Sequence, residues 1–212
     1  MPPDLQERGS HFTRVEHRSV FNGRREMETR KLLKGKRVLI VDDEPDILDV
    51  LTELLSPCMI DRASTFEAGK EYLETERYDV AVLDIMGVKG FELLDIARRN
   101  NIPALMLTAH ALTKESLKKS AEEGASYYVP KEEIGRIDVF VADVIEAGEK
   151  NKNPWVKWYE RLCGFFDNNM KFSGPNWREQ HKEFWDEKLK NFGCAPDTMS
   201  ETREHGDPGQ NS

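Results

Sequence analysis

Asp42-Asp43-Glu44, Asp84, Thr108-Ala109 and Pro130-Lys131 each follow a short apolar run. Gathered around one crevice, they would supply carboxylates, a hydroxyl and an ammonium. Clustered carboxylates repel one another, so such a nest calls for a hard cation, and oxygen ligands with few fixed protein contacts favour Mg2+. A lysine and a hydroxyl beside that cation suit an anion with several oxygens, above all a phosphoryl group. Taken singly, each residue has a plainer role. Asp42-Asp43-Glu44 before Pro45 can cap a helix and complement its dipole. Asp84 can be a cap or turn residue, Thr108 a strand-end hydroxyl, Lys131 a solvated loop charge and Tyr128 ordinary core.

The runs that carry these residues read as strands. Val80-Ala81-Val82-Leu83-Asp84-Ile85-Met86 has the β-branched content and flanking turn residues of a buried central strand. Arg37 to Val41, Ile102 to Leu107 and Ser126 to Val129 read likewise, and Met59 to Ala63 is a short second strand in chain order. In open α/β sheets ligands bind outside the carboxyl ends of such strands, where these side chains would stand. Helical patterns separate the strands. Pro45 opens the first, with Ile47, Leu48, Leu51, Leu54 and Leu55 as its apolar stripe. The second carries Phe66, Tyr72 and Leu73 and ends near Glu76, and the third runs from Phe91 toward Asn100. The fourth, from about Leu112 to Glu123, has few apolar anchors, and the fifth, from about Glu133 to Ala147, buries Ile134, Ile137, Val141, Val144 and Ile145. Such alternation with short connections predicts an α/β domain, a parallel sheet covered by helices on both faces.

From about Lys36 to Lys150 these landmarks, in this order, resemble the receiver domain of two-component response regulators. With right-handed crossovers the resemblance implies a flavodoxin-like, doubly wound, five-stranded parallel sheet of order 2-1-3-4-5. It implies that Asp84 accepts a phosphoryl group from a sensor histidine kinase or a phosphotransfer protein. Asp42 and Asp43 would hold Mg2+ together with Asp84 and the main-chain carbonyl of Met86. Lys131 would pair with one phosphoryl oxygen and Thr108 donate to another, and small Ala109 would leave room. Thr108 and Tyr128 would form the switch, phosphorylation adding about two negative charges that draw Thr108 and let Tyr128 turn inward. The thinly anchored fourth helix, the fifth strand and the fifth helix would be the reshaped face. Met86 and His110, each two residues past a site group, would border the attacking water and tune the signal's lifetime. The chain would then be a phospho-acceptor with at most slow self-dephosphorylation, not an enzyme. Two departures from the family stand out: the loop Met86-Gly87-Val88-Lys89-Gly90 is shorter and lacks a proline, and Glu132 follows Lys131 where a proline is usual. They either tune signal lifetime or mark a phosphate-independent adaptor acting through its C-terminal helices. A Mg2+-dependent phosphohydrolase using Asp84 is a further alternative.

At 212 residues the chain has room for one well-buried domain and an appendage. A net charge of −8 argues against a general nucleic-acid or membrane-surface binder. No apolar run reaches the roughly 18 residues of a membrane span, and no signal-peptide core opens the chain. Cys58, Cys163 and Cys194 are odd in number and scattered, which fits a reducing cytoplasm, and with His181 they form no paired zinc motif. Residues 1–34 lack an apolar period and are expected to be disordered. Gly23-Arg24-Arg25-Glu26 before Met27 suggests a ribosome-binding site read as protein, with Met27 the true start; a basic arm touching a partner is the other reading.

Residues 35–150 are thus the expected receiver domain and 151–193 a helical extension, with 194–212 a disordered tail. All four tryptophans lie in the extension. Trp155, Trp158, Tyr159, Leu162 and Phe166 share one helix face, and after Ser173-Gly174-Pro175 a second stripe carries Trp177, His181, Phe184, Trp185 and Leu189. The result is a helical hairpin whose aromatic faces pack on each other, on the receiver, on a partner helix or on a second copy in a homodimer. This extension shows no helix-turn-helix, cyclase, phosphodiesterase or kinase signature, so signalling through protein contacts to an unidentified target is expected.

Overall fold

The computed structural model describes residues 12–109, 119–168, 176–180, 182, 183 and 186. In chain order the elements are α1 (Phe12–Leu33), β1 (Arg37–Val41), α2 (Pro45–Leu54), β2 (Met59–Ala63), α3 (Phe66–Thr75), β3 (Val80–Asp84), α4 (Gly90–Arg99), β4 (Ala104–Thr108) and β5 (Tyr127–Pro130). A 3-10 helix (Lys131–Arg136), α5 (Ile137–Glu149), α6 (Pro154–Asn168) and α7 (Trp177–Gln180) follow. Residues 119–122 are also helical.

The five strands pair in parallel in the order β2-β1-β3-β4-β5. This is the doubly wound sheet expected from the alternation of strand and helix. β3 and β4 are buried along their whole length, whereas β2, at one edge, leaves Met59 exposed and carries Asp61 and Arg62. A charged edge strand is a common guard against pairing with other chains. On α2, Leu48 and Leu51 are buried, with Leu55 just past its end, so the predicted stripe faces the sheet. Thr65 caps α3 by accepting from the Ala68 amide at 3.3 Å.

Register does the positioning. Val41 lies beside Leu83, Asp84 beside Leu107 and Thr108 beside Pro130. The residues that end or follow β1, β3, β4 and β5 therefore emerge side by side along one edge of the sheet. Asp42, Asp84, Thr108 and Lys131 occupy those places.

Two expectations need correction. The segment expected to be disordered to residue 34 is helical from Phe12 to Leu33. Its arginines, lysine, glutamates and methionine are good helix formers, and one leucine pair supplies the anchor: Leu33 is fully buried and Leu32 partly so, against the core. Gly35, at φ +75°, then ends the helix in a left-handed conformation that suits glycine. Among the side chains of this helix described from Gly23 onward, only Thr29, Leu32 and Leu33 are other than exposed, which leaves little periodicity to read. The fifth predicted helix also begins differently, as a 3-10 turn over Lys131–Arg136 with Ile134 only partly buried. The α-helical part starts at Ile137 and buries Phe140, Val141, Val144 and Ile145.

The first aromatic stripe packs on the receiver. Trp155, Trp158 and Leu162 of α6 are buried in the common core. Arg178 of α7 pairs with Asp167 and donates to the Tyr159 hydroxyl at 2.8 Å, tying the second helix to the first. His110, most of the fourth predicted helix, and His181, Phe184, Trp185 and Leu189 lie outside the described residues.

Candidate functional site

Lys131 is the centre of the crevice. Its Nζ stands 2.8 Å from Asp42 Oδ2, 2.9 Å from Asp84 Oδ1 and 2.8 Å from Glu44 Oε1. Asp42 and Asp84 are almost wholly buried, at 1% and 3% exposure. Burial alone would lower the Lys131 ammonium, but its pairing with Asp42, Glu44 and Asp84 outweighs this and holds it well above the ordinary lysine value. Asp42 moves up as well, because burial, with the nearby Asp84 charge, outweighs its pairing with Lys131 and the Glu44 amide. The lysine therefore stays charged, and burial makes Asp42 more ready to hold a proton than an ordinary aspartate.

The loop after β3 shapes Asp84. Its Oδ2 accepts from the Met86 amide at 2.9 Å and the Gly87 amide at 2.7 Å. With Lys131 on Oδ1, both oxygens are oriented. The turn closes tightly: a Cβ on Gly90 would lie 2.1 Å from the Asp84 carbonyl oxygen, so only glycine fits where α4 begins. At Gly87 a Cβ would lie 1.8 Å from Asp43 Oδ1, so a side chain there would have to push the Asp43 carboxylate aside. The short loop thus brings its backbone against the Asp43 carboxylate. Met86 is 65% exposed at the rim.

Of the residues singled out in the sequence, Asp42, Asp84 and Lys131 converge by direct contact, Met86 meets Asp84 through its amide rather than through the carbonyl expected to act, and Asp43 joins them against Gly87. Thr108 is buried at the end of β4, in register with Pro130 immediately before the lysine, and Ala109 is exposed beside it. Tyr128 is buried in β5. Sequence reasoning missed Glu44 as a partner of Lys131; a third consecutive acid was the available signal. It also missed that Gly90 is fixed by the backbone it approaches and that Gly87 lies against the Asp43 carboxylate.

The donor set fits a hard divalent cation. Asp42, Asp43, Asp84 and Glu44 offer only oxygens, and Lys131, the cation that meets them among the described residues, cannot neutralise them alone. Asp42 Oδ2 is buried and makes no directed hydrogen bond, only the ion pair with Lys131. Such an acceptor has capacity left for a cation. Among the described residues no three histidine, cysteine, aspartate or glutamate side chains converge on a single point. The positive charge between Asp42 and Asp84 is here the lysine's own.

A parallel doubly wound sheet with acids, a threonine and a lysine along its carboxyl edge is the arrangement expected of a receiver. Residues 38–140 match the response regulator receiver domain, and this stretch of the chain belongs to that family, the receivers of two-component systems. Regulatory protein VanRc of Enterococcus gallinarum is 30% identical over 139 residues, covering 60% of this chain and 59% of that protein. Two-component response regulator ARR18 of Arabidopsis thaliana is 34% identical over 123 residues, 55% of this chain and 19% of that protein. The chain thus spans less than two thirds of the length of these relatives. A CheY-like response regulator receiver domain protein from Methanospirillum hungatei JF-1 shares the fold, with a TM-score of 0.51 and 28% identity over 56% of this chain and 99% of that one. Among the described residues no helix is long and apolar enough to cross a membrane.

Proposed function

We propose that Asp84 accepts a phosphoryl group in a Mg2+-dependent transfer from a phosphohistidine on a sensor histidine kinase or a phosphotransfer protein. The observation that carries this reading is the Lys131 ammonium bridging buried Asp42 and Asp84 at the carboxyl edge of the sheet. Oδ2 of Asp84 is held by two amides, so Oδ1 is the oxygen available to attack phosphorus once Lys131 moves from it to a phosphoryl oxygen. A P–O bond forms to Asp84, the P–N bond of the donor breaks, and its electron pair stays on the donor imidazole. Thr108 donates its hydroxyl to the transferred group, and exposed Ala109 leaves its approach open. Asp42, Asp43 and Asp84, with the Met86 carbonyl, would hold Mg2+, which supplies neutralisation of the nucleophile and the phosphoryl oxygens when bound.

Thr108 and Tyr128 then act as the switch, and Met86 and His110 set how long the acyl phosphate lasts. Output passes through protein contacts, a reading supported by the net charge of −8 and the aromatic-rich extension. The setting is the cytoplasm, consistent with the scattered cysteines. Intact mass after incubation with Mg2+ and acetyl phosphate tests the chemistry: one phosphoryl adduct on the wild type and none on Asp84→Asn. No adduct on the wild type would hand the function to a phosphate-independent adaptor acting through α6 and α7.

A further inference from the structure

β5 is an edge strand, paired with β4 on one side only. Two indoles of α6 meet the backbone here, one on β5 itself and one two residues before it. Trp155 Nε1 donates to the Ala125 carbonyl at 3.1 Å, and Trp158 Nε1 donates to the Tyr128 carbonyl. Trp158 is fully buried. The side chain of the preceding residue is gripped through α5: the Tyr127 hydroxyl donates to Asp143 Oδ2 at 2.9 Å, and Arg161 of α6 pairs with the same carboxylate, Nη2 to Oδ1 at 2.9 Å. Asp143 is only 3% exposed, and the site chemistry does not use it. Tyr127 is further fixed by Phe140, ring centroids 5.7 Å apart. Successive residues of β5 are thus tied to α6, Tyr128 directly by its backbone and Tyr127 by its side chain through Asp143 of α5. Two residues on, Pro130 joins the strand to Lys131 with φ −63°, a stiff connection. A displacement of β5 carries Lys131 with it.

We propose that α6 is a positioning element of the phosphoryl site: docked, it holds β5 where Lys131 bridges Asp42, Glu44 and Asp84, and withdrawal of Lys131 to a phosphoryl group loosens α6. By linkage the coupling runs both ways, so freeing α6 changes the site as much as the site changes α6. The second half rests on Asp84 being the phospho-acceptor; the first half does not.

Amide exchange of the full chain, read on peptides covering 154–168, tests both halves. Loss of the lysine in Lys131→Ala without divalent cation, and Mg2+ with beryllofluoride on the wild type, should each speed exchange in α6 by between about 5- and 150-fold. Peptides from α2 and α3 should stay unchanged, which a general loss of stability would not allow. In the reverse direction, Arg161→Ala should change the acetyl-phosphate reaction rate by at least about fivefold, with partial recovery in Arg161→Lys. Unchanged α6 exchange in a wild type that forms the adduct overturns the coupling and leaves the phospho-acceptor reading standing. A wild type that forms no adduct removes that reading and the phosphate half together. Lys131→Ala then decides the remainder: faster exchange confined to α6 and β5 upholds the positioning role, and unchanged exchange ends it.

Discussion

Two buried carboxylate–cation groups sit within the same domain and are built to opposite ends. Asp143 receives a two-pronged arginine and a tyrosine hydroxyl, so one carboxylate is fully met by a planar, permanently charged partner. At the carboxyl edge of the sheet Asp42, Glu44 and Asp84 share one lysine, Asp43 crowds the same loop, and Asp42 Oδ2 lacks a directed hydrogen bond. The first arrangement is complete and holds helices to a strand. The second is, among the described residues, short of positive charge and centred on a flexible point cation. Satisfaction marks a structural joint here, and its shortfall marks a place for a ligand.

That contrast can be broken by experiment. The largest stability loss is expected from Arg161→Ala, which strands a buried carboxylate and should cost about 3–5 kcal/mol in urea unfolding, with no recovery in Mg2+. A loss that Mg2+ repaired would erase the distinction between the two groups. Trp158→Ala should cost a similar or slightly smaller amount, about 3–5 kcal/mol, through the cavity it leaves under α6. Lys131→Ala should cost about 1–3 kcal/mol in chelator, and millimolar Mg2+ should restore most of it by taking the lysine's place among the carboxylates. Gly87→Ala should cost about 1–3 kcal/mol and weaken Mg2+ binding, because the added methyl displaces Asp43; titration calorimetry reads the second effect. The smallest change belongs to Glu44→Gln, within about 1 kcal/mol in a thermal melt, since Glu44 is exposed and screened.

The site end was far more legible in the sequence than the joint. Each acid, the threonine and the lysine closes an apolar run, and a parallel sheet puts all such ends on one edge, so order along the chain was enough to foresee Asp42, Asp84 and Lys131 together. Glu44 hid among the capping acids, because nothing in the pattern says which of three consecutive carboxylates a distant lysine will choose. The fit of Gly87 against Asp43 depends on loop closure, which spacing does not encode. At the joint, the periodicity of Trp155, Trp158 and Leu162 disclosed a buried face but not what it faces. Asp143 and Arg161 lie on separate helices, and their pairing follows only from how α6 lies on α5. The same logic explains α1, where Leu32 and Leu33, the leucines packed on the core among its described side chains, are too close together to show a period.

The central claim, that the undersatisfied cluster exists to place a phosphoryl group on Asp84, is tested most directly by mapping the modified residue. Borohydride reduces an aspartyl phosphate to homoserine, so the wild-type chain treated with acetyl phosphate and Mg2+, then reduced and digested, reports the acceptor by mass. Homoserine at position 84 and nowhere else is the predicted result. Modification at Asp42 or Asp43, or an unmodified peptide throughout, would contradict it.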